Sequence, residues 1–176
     1  TGYSGGAVFV FDAQGNVRPG WPVVAPISGL QSASIGDIDG DGLKEIIHTS
    51  ASIWCFKPDG SYCPGFPIDY PGSSRSKPVL ADIDGDGFLE IIFGWEDSQL
   101  RVLRYDGSMV PGYPINYYSR GISVGDVNLD GAMELLFNRT MFQGLWAFNA
   151  QTGVLLPGYP FTDPSGRIRP VIGAFW

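Results

Sequence analysis

The sequence predicts an all-β protein built from tandem repeats, and three observations lead to that prediction. A Pro-Gly-aromatic-Pro motif occurs four times, beginning at Pro19, Pro64, Pro111 and Pro157, in steps of 45, 47 and 46 residues. An acidic loop of nine residues occurs three times with nearly the same period, beginning at Asp37, Asp82 and Asp126. Glycine and proline are plentiful, and no segment shows a capped helical stripe of apolar residues. Two independent markers with one period indicate repeated structural units.

Each unit is predicted to contain four short strands. In the unit that begins near residue 75, the first strand covers 77–81 and leads into the acidic loop, and the second covers 89–94. The third strand covers 100–105, the dipeptide Asp106-Gly107 makes a tight turn, and the fourth covers 108–111 up to the Pro-Gly-Tyr-Pro motif.

Four antiparallel strands in about 45 residues, repeated along the chain, are typical of a β-propeller blade. A β-solenoid and a stacked sandwich are the alternatives, but solenoid turns are usually shorter and a sandwich does not require near-identical units. The aromatic residues of the third-strand region are expected to lie in the core between blades, namely Phe56, Tyr105 and Phe148.

Counting units gives about three complete blades and two partial ones in a single segment, residues 1–176. The complete blades are predicted at 30–70, 75–117 and 120–161, with an outer half-blade at 1–24 and the first strand of a further blade at 167–176. A common propeller has six to eight blades and needs on the order of 300 residues. We therefore expect either a fragment of a longer propeller or a homodimer that completes a ring, since exposed blade edges invite aggregation.

Each acidic loop carries oxygen-bearing side chains at positions 1, 3, 5 and 9 and glycine at position 6. The side chains are Asp37, Asp39, Asp41 and Glu45, then Asp82, Asp84, Asp86 and Glu90, then Asp126, Asn128, Asp130 and Glu134. This spacing folds a short loop around a hard cation, usually Ca²⁺, because neighbouring carboxylates repel one another unless a cation lies between them. An EF-hand is excluded because its position-12 glutamate is replaced by His48, Phe93 and Phe137. A solvated acidic turn without metal and a Mg²⁺ site are the alternatives.

The net charge of −7 is concentrated in these loops, which hold 11 of the 18 acidic residues. The remaining seven acidic residues face 11 basic ones, so three bound Ca²⁺ ions would bring the net charge close to zero. No cluster of lysine and arginine indicates nucleic-acid binding. No apolar run approaches the roughly 18 residues of a membrane-spanning helix.

The two cysteines, Cys55 and Cys63, flank a turn centred on Asp59-Gly60. A disulfide across this hairpin is the favoured interpretation, and a pair of buried thiols is the alternative. A disulfide and calcium sites are both typical of a secreted, extracellular or cell-surface protein.

The segment 35–47 reads Ile-Gly-Asp-Ile-Asp-Gly-Asp-Gly-Leu-Lys-Glu-Ile-Ile, which resembles the FG-GAP repeat, also described among VCBS-type repeats. That family includes the integrin α-subunit propeller and many secreted bacterial proteins, and the similarity extends over essentially the whole chain. The resemblance implies one Ca²⁺ ion, about three in all, between the first and second strands of each blade that carries the motif. It adds main-chain carbonyls at position seven to the ligands above, from Leu43, Phe88 and Ala132. Asn128 is neutral, so the third site is expected to bind calcium more weakly.

No catalytic constellation is recognisable, since His48 is the only histidine and paired carboxylates occur only in the acidic loops. The sequence therefore predicts a non-catalytic, calcium-binding module that mediates adhesion or binds a protein or glycan ligand. One alternative is an accessory domain of a larger secreted enzyme, such as a peptidase or a polysaccharide-active protein. Another is a lectin, in which the candidate sugar-stacking residues are Trp54, Trp95, Tyr117, Tyr118 and Trp146.

Overall fold

The computed structural model describes residues 6–25, 33–74, 76–116, 121–138 and 144–161. Within these ranges the chain has strands and turns only, arranged in four antiparallel sheets, which confirms the predicted all-β class. Accordingly, these ranges contain no helix that could cross a membrane. The predicted strand at 167–176 lies outside the described residues.

The sheets follow one another along the chain and are numbered here from first to fourth. The first sheet has two strands, β1 (Gly6–Val8) and β2 (Val23–Ala25). The second has four strands in sequential order, β3 (Ser34–Gly36), β4 (Glu45–Thr49), β5 (Ser52–Phe56) and β6 (Ile68–Asp69). The third repeats that order with β7 (Val79–Ala81), β8 (Glu90–Gly94), β9 (Gln99–Leu103) and β10 (Ile115–Asn116). The fourth has β11 (Ile122–Gly125), β12 (Glu134–Asn138) and β13 (Leu145–Asn149).

The fourth strand of the third sheet differs from the prediction, which placed it at 108–111. After the Asp-Gly turn the chain makes only a single bridge, from Met109 to Leu103. Strand pairing then stops over the Pro-Gly-Tyr-Pro motif and resumes in β10, where Ile115 pairs with Leu100. The interruption follows from the two prolines of the motif, because they have no N–H group to donate to a neighbouring strand.

Neighbouring sheets pack face to face through apolar clusters. Phe56 is fully buried between the first and second sheets, and Leu103 is fully buried between the second and third. Phe148 packs, partly buried, between the third and fourth sheets. The prediction for Tyr105 was wrong: this side chain lies on the turn and is 40% exposed. Leu103 is the residue of the third sheet that corresponds to Phe56, because both precede their turn glycine by four residues.

The Pro-Gly-aromatic-Pro motif, called the corner below, joins each sheet to the next. The corner of one sheet lies against the turn between the third and fourth strands of the following sheet. A Cβ atom built on Gly20 would lie 1.8 Å from the carbonyl oxygen of Asp59, and one built on Gly65 would lie 2.1 Å from that of Asp106. The corner aromatic adds a hydrogen bond, since Trp21 Nε1 donates to the carbonyl oxygen of Pro58 at 3.0 Å. Only glycine allows the two backbones to approach this closely.

A disulfide joins Cys55 and Cys63, whose Cα atoms lie 5.3 Å apart, which confirms the favoured interpretation. Both residues are buried. The Cys63 N–H donates to the Cys55 carbonyl, as the Val110 N–H does to the Val102 carbonyl in the third sheet. The disulfide therefore occupies a position that the next blade fills with two valines.

Candidate metal centre

Each acidic loop connects the first and second strands of its sheet. The loops follow β3, β7 and β11, and the position-nine glutamate of each is the first residue of the following strand. The first strand of each sheet therefore fixes the start of the loop, and the second strand fixes its end. This is the position that the FG-GAP resemblance implied for a cation.

The aspartates of each loop are held by main-chain N–H groups of the loop itself. Asp82 accepts hydrogen bonds from Gly85 at 2.7 Å and Gly87 at 3.0 Å. Asp86 accepts one from Phe88 at 2.9 Å. The third loop has all three corresponding bonds, and the first has those to Asp37 Oδ2 and Asp41 but none to Asp37 Oδ1. The fold requires a left-handed residue at position 6, where Gly87 has φ 91°.

The first two loops bring three carboxylates together. Oxygens of Asp37, Asp39 and Asp41 lie within 4.8 Å of one another, and so do those of Asp82, Asp84 and Asp86. The third loop differs because its Asn128 amide donates a hydrogen bond to Asp130 at 2.8 Å. Asn128 is neutral where the other loops have aspartate. Its side-chain amide also contacts the carboxylate of Asp130, which the sequence predicts to be a cation ligand. That the third loop is the weakest cation site stays a prediction.

The position-nine glutamates close the loops onto the strands. Glu45, Glu90 and Glu134 are almost wholly buried, with at most 1% of each residue exposed. In each glutamate Oε2 accepts a hydrogen bond from the main-chain N–H of the second loop residue, at 2.8 to 3.1 Å. None of the three belongs to a cluster of carboxylates within 4.8 Å among the described residues. Their ligand role stays a prediction, and their observed contact is with the loop backbone.

Several carboxylate oxygens at these loops are buried without a hydrogen-bond donor in the described part of the chain. They are Asp37 Oδ1, Glu45 Oε1 and Glu134 Oε1. A buried anionic oxygen without a partner is costly, and a cation is the partner that would satisfy it. Burial, together with the negative charges of the loop aspartates, raises the pKa of Glu45 and raises that of Glu90 to about 7. The oxygen-only donor set and its charge fit a hard divalent cation such as Ca²⁺.

A basic residue that sequence reasoning missed lies beside the second loop. Arg104 Nη2 is 3.9 Å from Asp84 Oδ2, across the end of β9. The corresponding residue of the second sheet is Lys57, and in the fourth sheet it is Asn149. A positive residue two positions before the Asp-Gly turn was visible in the sequence, but its approach to the loop was not.

Two of the five predicted sugar-stacking residues are buried in the core. Trp54 is 4% exposed and Trp95 is 2% exposed, so both belong to the core between sheets and their prediction was wrong. Trp95 Nε1 donates a hydrogen bond to the carbonyl oxygen of Pro71 at 2.8 Å. Trp146 is partly buried in the cluster between the third and fourth sheets. Tyr117 and Tyr118 lie outside the described residues.

Successive antiparallel sheets, three of which carry an acidic loop between their first and second strands, define a protein of the β-propeller class. Residues 82–137 match the model of a family described as "FG-GAP-like repeat", so the resemblance drawn from the sequence is confirmed for that part of the chain. A search of curated proteins finds no match.

Two solved structures have a similar fold. One is the biofilm matrix protein Bap1 of V. cholerae, with 23% identity and a TM-score of 0.64 over 88% of this chain and 24% of the Bap1 chain. The other is BBS1N in complex with ARL6DN, with 12% identity and a TM-score of 0.50 over 78% of this chain and 56% of that chain. The present chain therefore spans about a quarter of the Bap1 chain and about half of the BBS1N chain. At these identities the similarity concerns the fold alone.

Proposed function

We propose that this chain is a non-catalytic β-propeller module whose blades are stabilised by Ca²⁺, and that it serves adhesion or matrix binding in a secreted or cell-surface protein. The observation that carries the calcium part is the clustering of three aspartates in the first and second loops, together with buried carboxylate oxygens without donors at the first and third. In the proposal each loop binds one ion through the side chains at positions 1, 3 and 5 and the carbonyl at position 7. The buried glutamate at position 9 holds the loop closed or contributes a further ligand.

Two observations support the location and the role. The Cys55–Cys63 disulfide persists in an oxidising compartment, which is where millimolar calcium is also found. The similar fold in Bap1, a biofilm matrix protein, supports a role in binding other components of a matrix. The alternative of an accessory domain in a larger protein rests on the small share of the Bap1 chain that is covered.

Calcium binding is tested by titration calorimetry and by thermal melts with and without EDTA. We expect about three ions per chain, with the third bound more weakly. At 100 times the dissociation constant, each site adds about 2.7 kcal/mol of stability, or roughly 5–10 °C in Tm for a chain of this size. Mg²⁺ at the same concentration should shift Tm much less.

Asp86→Asn is the informative variant, because an amide oxygen can still accept the Phe88 N–H bond while the charge is lost. It should weaken calcium binding at the second loop to about that of the third loop, which has the same number of carboxylates, so the titration should show one tight and two weak ions in place of two tight and one weak. Asp69→Asn is the matched control, since Asp69 is exposed in β6 and outside the acidic loops. No heat on calcium addition, together with an unchanged melt in EDTA, contradicts the calcium part.

The binding role is tested separately with the calcium-loaded chain on a glycan array and on surfaces coated with matrix polysaccharide. Absence of binding on both contradicts the adhesion and lectin roles.

A further inference from the structure

The first sheet carries two stacked aromatic rings in contact with water. The ring centroids of Phe9 and Phe11 are 6.1 Å apart, and the residues are 51% and 55% exposed. They lie on the face of the sheet that points away from the second sheet, since the alternating residues Val8 and Val10 pack against the latter. Exposed aromatic pairs of this kind mark interaction surfaces.

The corresponding residues of the other sheets show what kind of surface covers such a face. Phe11 forms a bridge across its turn, and Phe56 and Leu103 form the corresponding bridges in the next two sheets. Phe56 and Leu103 are fully buried, each against the sheet that precedes it. Phe11 therefore occupies a position that the other sheets bury under a preceding blade.

Each joint between sheets also has a fixed set of contacts. The residue that follows the corner lies on the turn glycine of the next sheet, within 2.9 to 3.1 Å of a Cβ atom built on that glycine. The three pairs are Val23 with Gly60, Ile68 with Gly107, and Ile115 with Gly153. A joint thus needs a corner with an apolar residue after it on one side, and a turn glycine on the other.

One half of such a joint is unfilled in the first sheet and the other half in the fourth. Among the described residues no atom lies within 4 Å of a Cβ built on the turn glycine Gly15 or on the corner glycine Gly158. Phe161, which follows the fourth corner, is 59% exposed. The chain therefore carries both complementary halves of a joint, and within the described part of the chain neither is occupied.

We propose that the fourth corner of one copy binds the exposed face of the first sheet of a second copy, head to tail. In this joint Gly158 approaches the carbonyl of Gln14, and Phe161 lies on Gly15. The ring of Tyr159 meets Phe11, as the ring of Trp21 lies 5.8 Å from that of Phe56. Two copies bring eight sheets together through two identical joints, within the size range of closed propellers.

The experiment is sedimentation equilibrium of the 176-residue chain in calcium buffer over a wide concentration range. We expect a dimer with twice the 19.0 kDa of one chain. Phe11→Lys and Phe161→Glu, each at a side chain more than half exposed, should raise the dissociation constant at least about tenfold. Ile35→Glu is the matched control, because Ile35 is 64% exposed in β3 and takes part in neither half of the joint; it should associate like the unsubstituted chain.

Mixing the two variants distinguishes a head-to-tail joint from any other. A mixed dimer has one joint without a substitution and one that carries both substitutions, whose charges are opposite, so association should return on mixing. A chain that stays monomeric at all concentrations overturns the proposal and points to a blade from a longer polypeptide as the occupant. A dimer insensitive to both substitutions, or a mixture that stays monomeric, overturns it as well.

Discussion

The corner contacts predict that Gly65→Ala will separate the second and third blades. Gly65 has φ 81°, and its added Cβ would lie 2.1 Å from the carbonyl oxygen of Asp106, which belongs to the backbone and cannot rotate away. A left-handed alanine costs about 1–2 kcal/mol, partly offset by about 0.4–1 kcal/mol from the stiffer unfolded chain. Forcing the two backbones apart adds about 1–3 kcal/mol, as overpacking does in a core.

The expected total is a loss of about 1–5 kcal/mol with a central value of about 3 kcal/mol, which corresponds to roughly 6–12 °C in Tm. Gly158→Ala is the control, since Gly158 has nearly the same φ of 83° and no described atom within 4 Å of its Cβ position. It should lose no more than about 1.6 kcal/mol, because only the backbone conformation is strained. Both variants are made in the Phe11→Lys background so that contacts between copies do not contribute.

Urea unfolding in calcium buffer measures the two free energies of unfolding, with the melting temperature as a second readout. The difference between the two variants isolates the contact between corner and turn from the conformational strain. Equal losses for Gly65→Ala and Gly158→Ala would refute the idea that the corner acts as the joint between blades. A smaller loss for Gly65→Ala than for the control would do so too.

Two further predictions concern the acidic loops. Leu129 has φ 62° at the position where the other loops have Gly40 and Gly85, and its side chain is 88% exposed. Leu129→Gly should therefore raise the free energy of unfolding by about 0.5–1 kcal/mol in a urea titration, and a loss of stability would contradict this reasoning. The pKa of Glu90 is raised to about 7 in the folded chain, against 4.5 in the unfolded chain. In EDTA, protonation of Glu90 therefore stabilises the fold fully below pH 4.5, and this contribution is lost as the pH rises through 7. Unfolding titrations at pH 5 and pH 8 should therefore differ by up to about 2.5 kcal/mol in favour of pH 5, and Glu90→Gln should reduce that difference. An unchanged difference in the variant would assign it to other groups.

The repeat period, the propeller class and the acidic loops could be read from the sequence. Residues that act together in an acidic loop are separated by two to eight positions, so their spacing reports directly on the local fold. The same holds for Cys55 and Cys63, which face each other across a turn of known type. In each of these features the partners are neighbours along the chain, and the backbone between them has few alternatives.

The sequence alone could not show which face of a strand is buried or how one sheet contacts the next. Tyr105 and Leu103 are two positions apart in the third-strand region, and only the packing of the neighbouring sheet shows that Leu103 is buried. Trp54 and Trp95 are candidates for a surface role in the sequence, but the structure places both in the apolar clusters between sheets. Alternation tells which residues share a face of a strand, whereas the sheet that covers the face is far away in sequence.

The corner shows the same division most clearly. Its fourfold recurrence was visible in the sequence, and there it served only to mark the period. Its role as the joint between blades depends on a contact between Gly20 and Asp59, or Gly65 and Asp106, about 40 residues apart. A contact at that separation leaves no local pattern, because glycine is required by the approach of another backbone and not by its own neighbours. The sequence by itself thus determined the blade and its acidic loop, and the tertiary structure decided how one blade holds the next.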